Sequence, residues 1–194
     1  MPRLKRATSI LRWSTAAGLL LAGSLSHATT VRHLETRELT IDSQQIVIGE
    51  VQGTHSHWNP SHTKILTEVS IKVSRWLKGG PGGSLTLTQL GGVVDGVRYN
   101  VPACPSFTAG EEALFFVWSA PDGRAQVNGL AQGKFEITRD AKTGERVVQR
   151  RASGFAVSDA RSLSAVLVGQ KARPLLLSDL VGEIERTLAT GTDR

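Results

Sequence analysis

One stretch of alternating side chains constrains the fold more than any other feature of the chain. From Ile65 to Val73 every second residue is apolar or β-branched, and the residues between them, Leu66 apart, are polar. Side chains of a β-strand point alternately to opposite faces, so this period of two predicts a strand with one buried face. The strand is expected to end at KGGPGG, residues 78–83, which is a dense turn signal.

Further short strands are predicted on both sides of this segment. The run ALFFVW, residues 113–118, is entirely apolar and therefore predicts a central strand. In SLTLTQLGG, Leu85 and Leu87 face one way and the intervening threonines face the other. The remaining candidates are QQIVIGEV, VVDGVRYNV, QVNGLAQ, GKFEITR and ERVVQR. Short strands at such spacing predict a β-barrel or a sandwich.

Helices are expected only near the two ends of the chain. The segment Val31–Ser43 predicts a short N-terminal helix from a loose apolar period. Near the C-terminus, Ser178 can cap a helix over residues 178–189, whose apolar stripe includes Leu180, Ile184 and Leu188. We therefore predict a mainly β fold: a small barrel, with a short N-terminal helix and a C-terminal helix against it.

The first 28 residues have the layout of a secretory signal peptide. Four basic residues precede a short apolar run, Ala16–Leu25, and small residues stand at Ser26 and Ala28. Cleavage after Ala28 would leave a chain without a membrane anchor, in the periplasm or secreted. The rest of the sequence divides into a β-barrel domain, 29–155, and a C-terminal extension, 156–194.

Charge and cysteine content exclude several classes of function. The whole chain carries 23 basic and 17 acidic residues, but the leader holds four of the basic residues and no acidic one. The remainder is left with a net charge of +2 and no clustered basic face, so nucleic-acid binding is not expected. Cys104 is the only cysteine, which rules out a disulfide within one chain, and a small apolar core residue is the favoured interpretation.

The sequence HSHWNPSH, residues 55–62, holds the candidate metal ligands His55, His57 and His62. A zinc or copper site is geometrically possible, because His55 and His57 share one face of a strand. However, catalytic zinc takes three protein ligands with supporting partners, and this loop contains no Asp, Glu or Cys. The favoured interpretation is a hairpin tip built on the turn Asn59-Pro60-Ser61, with no metal and no cofactor.

No catalytic residue can be named from the sequence. Motifs for nucleotide binding, metalloproteases and serine hydrolases are missing. The adjacent pair Glu111-Glu112 cannot act as acid and base from opposite faces of a strand, and a solvated turn is the expected setting for it. The protein is therefore not expected to be an enzyme.

The order of segments resembles a group of exported, poorly characterised bacterial proteins. The resemblance rests on IVIGEV, on W-x-P followed by LTEVSIKVSRWLKG, on FTAGEEALFF and on GLAQGKF, and it covers Gln45–Ile137. The part TEVSIKVSRWLKG also looks like netrin-like modules and tissue inhibitors of metalloproteinases, which implies an OB-like barrel. Those inhibitors use an N-terminal cysteine, and this chain has none there, so their mechanism cannot be transferred.

A non-catalytic, exported binding module is the leading hypothesis for the function. Its partner would be a protein, with an exported metalloprotease suggested by the resemblance. Trp58, Asn59 and His57 are the candidate partner-binding residues, because exposed aromatic side chains are common anchors of interfaces. A metal-binding protein using His55, His57 and His62, or an enzyme with an unrecognised site, are the alternatives.

The period of two predicts that neighbouring substitutions in this strand have opposite effects. Val69→Asp and Ile71→Asp should each prevent folding, because each would bury an unpaired carboxylate at a cost of several kcal/mol. Ser70→Asp and Lys72→Asp should be tolerated. Thermal melts of the four variants test this, and four similar melting temperatures would contradict the assigned faces.

Overall fold

The computed structural model describes residues 30–150, 156–158, 165–167 and 175–191. The predicted signal peptide lies outside these residues, as does part of the predicted C-terminal extension. Among the helices of the described residues, none is long and apolar enough to cross a membrane.

The described residues form thirteen β-strands, two α-helices and one short 3-10 helix. The strands are β1 (Thr30–Arg32), β2 (Gln45–Trp58), β3 (Ile65–Lys78), β4 (Ser84–Leu90), β5 (Gly92–Val94), β6 (Val97–Tyr99), β7 (Glu112–Ser119), β8 (Ala125–Val127), β9 (Lys134–Arg139), β10 (Arg146–Gln149), β11 (Ala156–Ser158), β12 (Ala165–Leu167) and β13 (Leu175–Leu176). The helices are α1 (Thr36–Asp42), α2 (Leu177–Gly191) and the 3-10 helix Leu130–Gly133. The fold is mainly β, as predicted.

Eight strands form one large antiparallel sheet in the order β13-β10-β9-β7-β2-β3-β4, with β8 paired to the end of β7. The long hairpin β2–β3 dominates it, and pairs residue for residue from Trp58 opposite Ile65 at its tip to Gly53 opposite Ser70, beyond which the register shifts. β5 and β6 form a separate hairpin whose turn has positive φ at Asp95 and Gly96, as Asp-Gly predicts. β1, β11 and β12 form a third, small sheet.

Both faces of the large sheet are buried around its centre. On the helix face, Leu114 and Phe116 of β7 pack with Ile46 and Ile48 of β2 and with α1 and α2. The inner face carries a second core, made by Val47, Val51, Val69, Ile71, Leu87, Ala113, Phe115, Val117 and Val127. The apolar run ALFFVW is therefore a central strand, as predicted, with residues 113–117 buried on both faces and with β2 and β9 on its two edges.

The sheet curls but does not close into the predicted barrel. The strands β8, β7, β2, β3 and β4 are joined in this order, and the curl brings β4 alongside β8. No ladder joins β4 to β8 in the described part of the chain. β8 has only three residues before the chain turns toward the 3-10 helix, so it offers little backbone to pair with β4. The mainly β part of the prediction is thus confirmed, whereas the sheet is not a closed barrel in the described part of the chain; we call the unpaired gap the β4–β8 seam.

The two predicted helices are present, with shifted bounds. α1 is shorter than the expected 31–43, because residues 30–32 form β1 and the helix begins only after Glu35. The backbone N–H of Glu35 donates to the Glu38 carboxylate and so caps the start of the helix. α2 begins one residue before the expected Ser178 and buries Leu180 and Ile184 against the helix face. β1 also pairs in parallel with β11, which ties the N-terminal strand to the segment assigned to the C-terminal extension.

Gly49 marks a position where the β2–β3 hairpin has no room for a side chain. A Cβ there would lie 2.6 Å from Ile71 Cγ2 and 2.7 Å from the Lys72 carbonyl oxygen. The pairing register also shifts between Ile48 and Gly49, which indicates a β-bulge. At Gly53 in the same strand a Cβ would meet nothing within 4 Å.

We expect Gly49→Ala to lower the free energy of unfolding by about 2 kcal/mol, because the added methyl group overpacks a site bounded by backbone. Gly53→Ala is the matched control, and it should leave stability unchanged or slightly raised, since it only removes freedom from the unfolded chain. Urea unfolding of both variants measures the difference. Equal midpoints and slopes would contradict the close approach at Gly49.

Candidate functional site

The tip of the β2–β3 hairpin is held by the side chain of Asn59. Its Oδ1 accepts hydrogen bonds from the backbone N–H groups of Thr63 and Lys64 at 2.8 and 2.9 Å. Its Nδ2 donates to the hydroxyls of Ser61 and Thr63. The predicted turn is confirmed, and the amide of Asn59, a candidate partner-binding group, is engaged in forming it.

The three histidines do not converge on one point. His55 and His57 lie on one face of β2 with their rings stacked, and His57 Nε2 is 3.7 Å from Glu68 Oε1 on the paired strand. His62 stacks instead on Trp58, with ring centroids 5.9 Å apart. Trp58 follows His57 in the strand and so points to the opposite face. Among the described residues, no group of three His, Cys, Asp or Glu side chains is placed to hold a metal ion.

Glu68 is the neighbour of the histidines that sequence reasoning missed. It faces His55 directly in the register of the hairpin, although thirteen residues separate them. His57 Nδ1 lies 2.9 Å from the Trp58 carbonyl oxygen. Both ring nitrogens of His57 thus lie near acceptor atoms of the hairpin itself, Glu68 Oε1 and the Trp58 carbonyl oxygen.

A row of polar side chains crosses the inner face beyond its apolar core. Ser56, Thr67 and Gln89 are directly opposite one another in the register of β2, β3 and β4. They stand two residues beyond Val69 and Leu87, which belong to the inner core, so they point to the same face. Ser56 Oγ lies 2.8 Å from Thr67 Oγ1, and Thr67 donates to the carbonyl of Gly91 at 2.6 Å. The inner face thus changes from apolar to polar at one end.

Gln89 is the member of this row without a partner. It is 6% exposed, and its amide nitrogen has no hydrogen-bond partner in the described part of the chain. Such an amide costs free energy in the folded state unless something else binds it. The sequence did indicate which face Gln89 occupies, because it stands two residues after Leu87 and four after Leu85, which both face inward.

The polar row forms one wall of a cavity of about 520 Å³, which we call the mouth cavity. Its other walls are the β5–β6 hairpin and the loop Asn100–Phe107. The backbone of Gly92 lies close to the polar row, since a Cβ there would be 2.5 Å from both Ser56 Oγ and Thr67 Oγ1. Cys104 lies in the loop wall, where burial raises the pKa of its thiol and so disfavours the thiolate form.

The loop wall is anchored by a buried ion pair. Lys134 Nζ donates to Glu111 Oε1 and to the carbonyl of Ser106, both at 2.5 Å, and the two charged side chains are 8% and 9% exposed. The same ammonium lies 4.9 Å from the ring centroid of Phe107, which stacks on Phe115 of the inner core. The expected solvated turn is therefore wrong for Glu111. Glu112, half exposed, pairs with Arg146.

Exposed apolar side chains collect beside the mouth cavity. Among the described residues six large apolar side chains are exposed, and four of them belong to the segment that ends β4 and forms the β5–β6 hairpin: Leu90, Val93, Val97 and Tyr99. We call these four residues the hairpin patch. Trp58, partly exposed, points to the same face of β2 as Ser56.

A larger cavity of about 720 Å³ lies between α2 and the sheet, and three of its four charged side chains form ion pairs. Arg75 pairs with Glu185 at 2.8 Å, and Arg146 pairs with Glu112. The mouth cavity differs, because one of its lining residues, Gln89, has a buried amide nitrogen without a hydrogen-bond partner among the described residues.

We expect the histidine hairpin to show no submicromolar zinc site. Titration of the protein with zinc chloride in a calorimeter tests this, because two histidines and one distant carboxylate fall short of the usual ligand set. His57→Ala is the matched variant. A tight site that disappears in His57→Ala would overturn this expectation.

No protein-family model matches the sequence, and no curated protein matches it at a significant level. The candidate site is therefore defined by its own geometry: a polar row, a cavity beside it, and an exposed apolar hairpin at the rim.

Proposed function

We propose that the protein is an exported, non-catalytic binding module that holds a protein partner at the mouth of its curled sheet. The observation that carries this proposal is the hairpin patch. Large apolar side chains concentrated at one place on a surface are typical of a protein–protein contact. Three of them, Leu90, Val93 and Tyr99, line the mouth cavity, so a partner can cover this part of the patch and insert a group into the cavity.

The composition of the mouth cavity favours binding over catalysis. Its walls contain hydroxyls, amides and one arginine, and they lack His, Asp, Glu and Lys side chains. A hydrolase or transferase of the common types needs a base or a metal beside its nucleophile. Ser56, Thr67 and Cys104 have no such neighbour in this wall.

Trp58, Asn59 and His57 extend the proposed surface along the hairpin tip. Trp58 is the anchor among them, since it is partly exposed and lies on the face that carries the polar row. His57 points the other way, and Asn59 maintains the turn on which Trp58 is presented. We therefore rank Trp58 and the hairpin patch above the other two residues.

The location and the class of partner belong to the same proposal. The layout of residues 1–28 supports a periplasmic or secreted protein, and the resemblance to exported bacterial proteins supports it further. An exported metalloprotease is the partner class that the netrin-like resemblance suggests. The curl of five strands, β8-β7-β2-β3-β4, supports an OB-like architecture, since OB-folds are partly open five-stranded barrels.

The alternative functions have less support. A metal-binding protein built on His55, His57 and His62 would require His62 to leave Trp58. An enzyme would require groups that the described cavities do not bring together.

Trp58→Ala and Val97→Asp should each weaken capture of a protein partner at least about tenfold, without changing the melting temperature. Both side chains are accessible, so their replacement removes interface contacts rather than core packing. The protein is immobilised, partners from periplasmic or culture-supernatant extract are identified by mass spectrometry, and affinity for the purified partner is measured by interferometry. Ile41→Asp, an exposed apolar residue on α1, is the matched control and should bind normally.

Two results would count against this surface. Equal losses in all three variants would mean that capture depends on general surface hydrophobicity. An unfolded Trp58→Ala variant would show that Trp58 is a core residue, and the proposed binding surface would then lack its main contact residue.

A further inference from the structure

The mouth cavity holds two hydrogen-bonding groups that the described residues leave unused. One is the amide of Gln89, buried and without a partner for its nitrogen. The other is the guanidinium of Arg98 on β6, which lines the cavity and forms no ion pair with any residue that the structure describes. Among the described residues that line the cavity, Arg98 is also the only charged one.

The hydroxyls of the polar row have no donor left for a ligand. Thr67 donates its single proton to the Gly91 carbonyl at 2.6 Å. Ser56 must therefore be the donor in its 2.8 Å contact with Thr67, because each hydroxyl carries one proton. The donors that remain on this side of the cavity come from Gln89, whose amide can turn about its broad terminal torsion toward the open space.

These two donors indicate which ligand chemistry would suit the cavity. An amide N–H and a guanidinium both require oxygen acceptors, and a guanidinium matches the two oxygens of a carboxylate in a bidentate pair. One arginine balances one negative charge, whereas a phosphate monoester carries up to two at neutral pH. Leu90, Val93, Val101 and Phe107 supply apolar wall for the carbon atoms next to the charged group.

We propose that the mouth cavity binds the carboxylate of an organic acid, either a free acid or the C-terminus of a peptide, through Arg98 and Gln89. The cavity volume of about 520 Å³ lies within the range of small-molecule sites. This inference goes beyond the proposed function and does not depend on it, since it rests on the cavity and its unpaired donors.

The first test compares a carboxylate with its uncharged counterpart. Sodium 4-methylpentanoate and 4-methylpentanamide are titrated into the purified, isotope-labelled protein while the amide and guanidinium signals are followed by NMR. The acid should bind at least about tenfold more tightly than the amide and should shift the side-chain signals of Gln89 and Arg98. Equal affinities, or no shift at Gln89 up to millimolar acid, would overturn the proposal.

Two variants and a control assign the effect to these side chains. Gln89→Met keeps the length of the side chain but removes the donor, and Arg98→Gln removes the charge. Each should weaken binding of the acid roughly tenfold, while Arg37→Gln on α1 should leave it unchanged. Gln89→Met should melt no lower than the original protein, because the amide nitrogen has no partner to lose. A marked drop in its melting temperature would show that the amide is structural and would count against the proposal.

A second pair of probes separates the two sources of the carboxylate. Acetyl-Ala-Ala-Leu with a free C-terminus and the same peptide with a C-terminal amide are titrated in the same way. Preference for the free peptide over 4-methylpentanoate supports a peptide terminus, and the reverse preference supports a free acid. Failure of both acids with partner capture intact overturns the carboxylate site alone, whereas acid binding with no captured partner leaves the site standing and overturns the proposed function.

Discussion

The burial of β7 on both faces is the constraint on which the rest of the structure depends. Its residues 113–117 are fully enclosed, so one face needs the helices and the other needs the curl of the sheet. Its backbone groups also need partners on both edges, which β2 supplies on one side and β9 and β8 share on the other. The curl stops before β4 pairs with β8, and this leaves the β4–β8 seam open.

Local patterns predicted the elements well, because burial imposes a period on each strand and helix. The alternation around Val69 and Ile71 gave the correct inward face, with both side chains buried, and the stripe of Leu180 and Ile184 gave the packing face of α2. Closure of the sheet could not be predicted in the same way. It depends on how far strands from distant parts of the chain approach, and a sequence period carries no information about that distance.

The candidate site was largely hidden from sequence reasoning for the same reason. The three histidines lie close together in the sequence, yet strand alternation places His57 and Trp58 on opposite faces, and His62 stacks on Trp58. Gln89, in contrast, is an ordinary residue in a strand, and it becomes informative only because the inner face around it is enclosed. Glu111 likewise has no local sequence signal for burial, because its partner Lys134 stands 23 residues further along the chain.

The ion pair of Lys134 and Glu111 has a consequence for how the mouth can respond to a ligand. A buried ion pair adds little net stability compared with apolar packing. It nevertheless holds its two side chains in place, because separating them would leave each charge buried without a partner. Here it fixes the backbone at Ser106 and the ring of Phe107. One wall of the cavity is thus preorganised, and a ligand has less conformational entropy to remove when it settles there. The opposite wall is the two-stranded β5–β6 hairpin, and any change of cavity shape on binding is expected there.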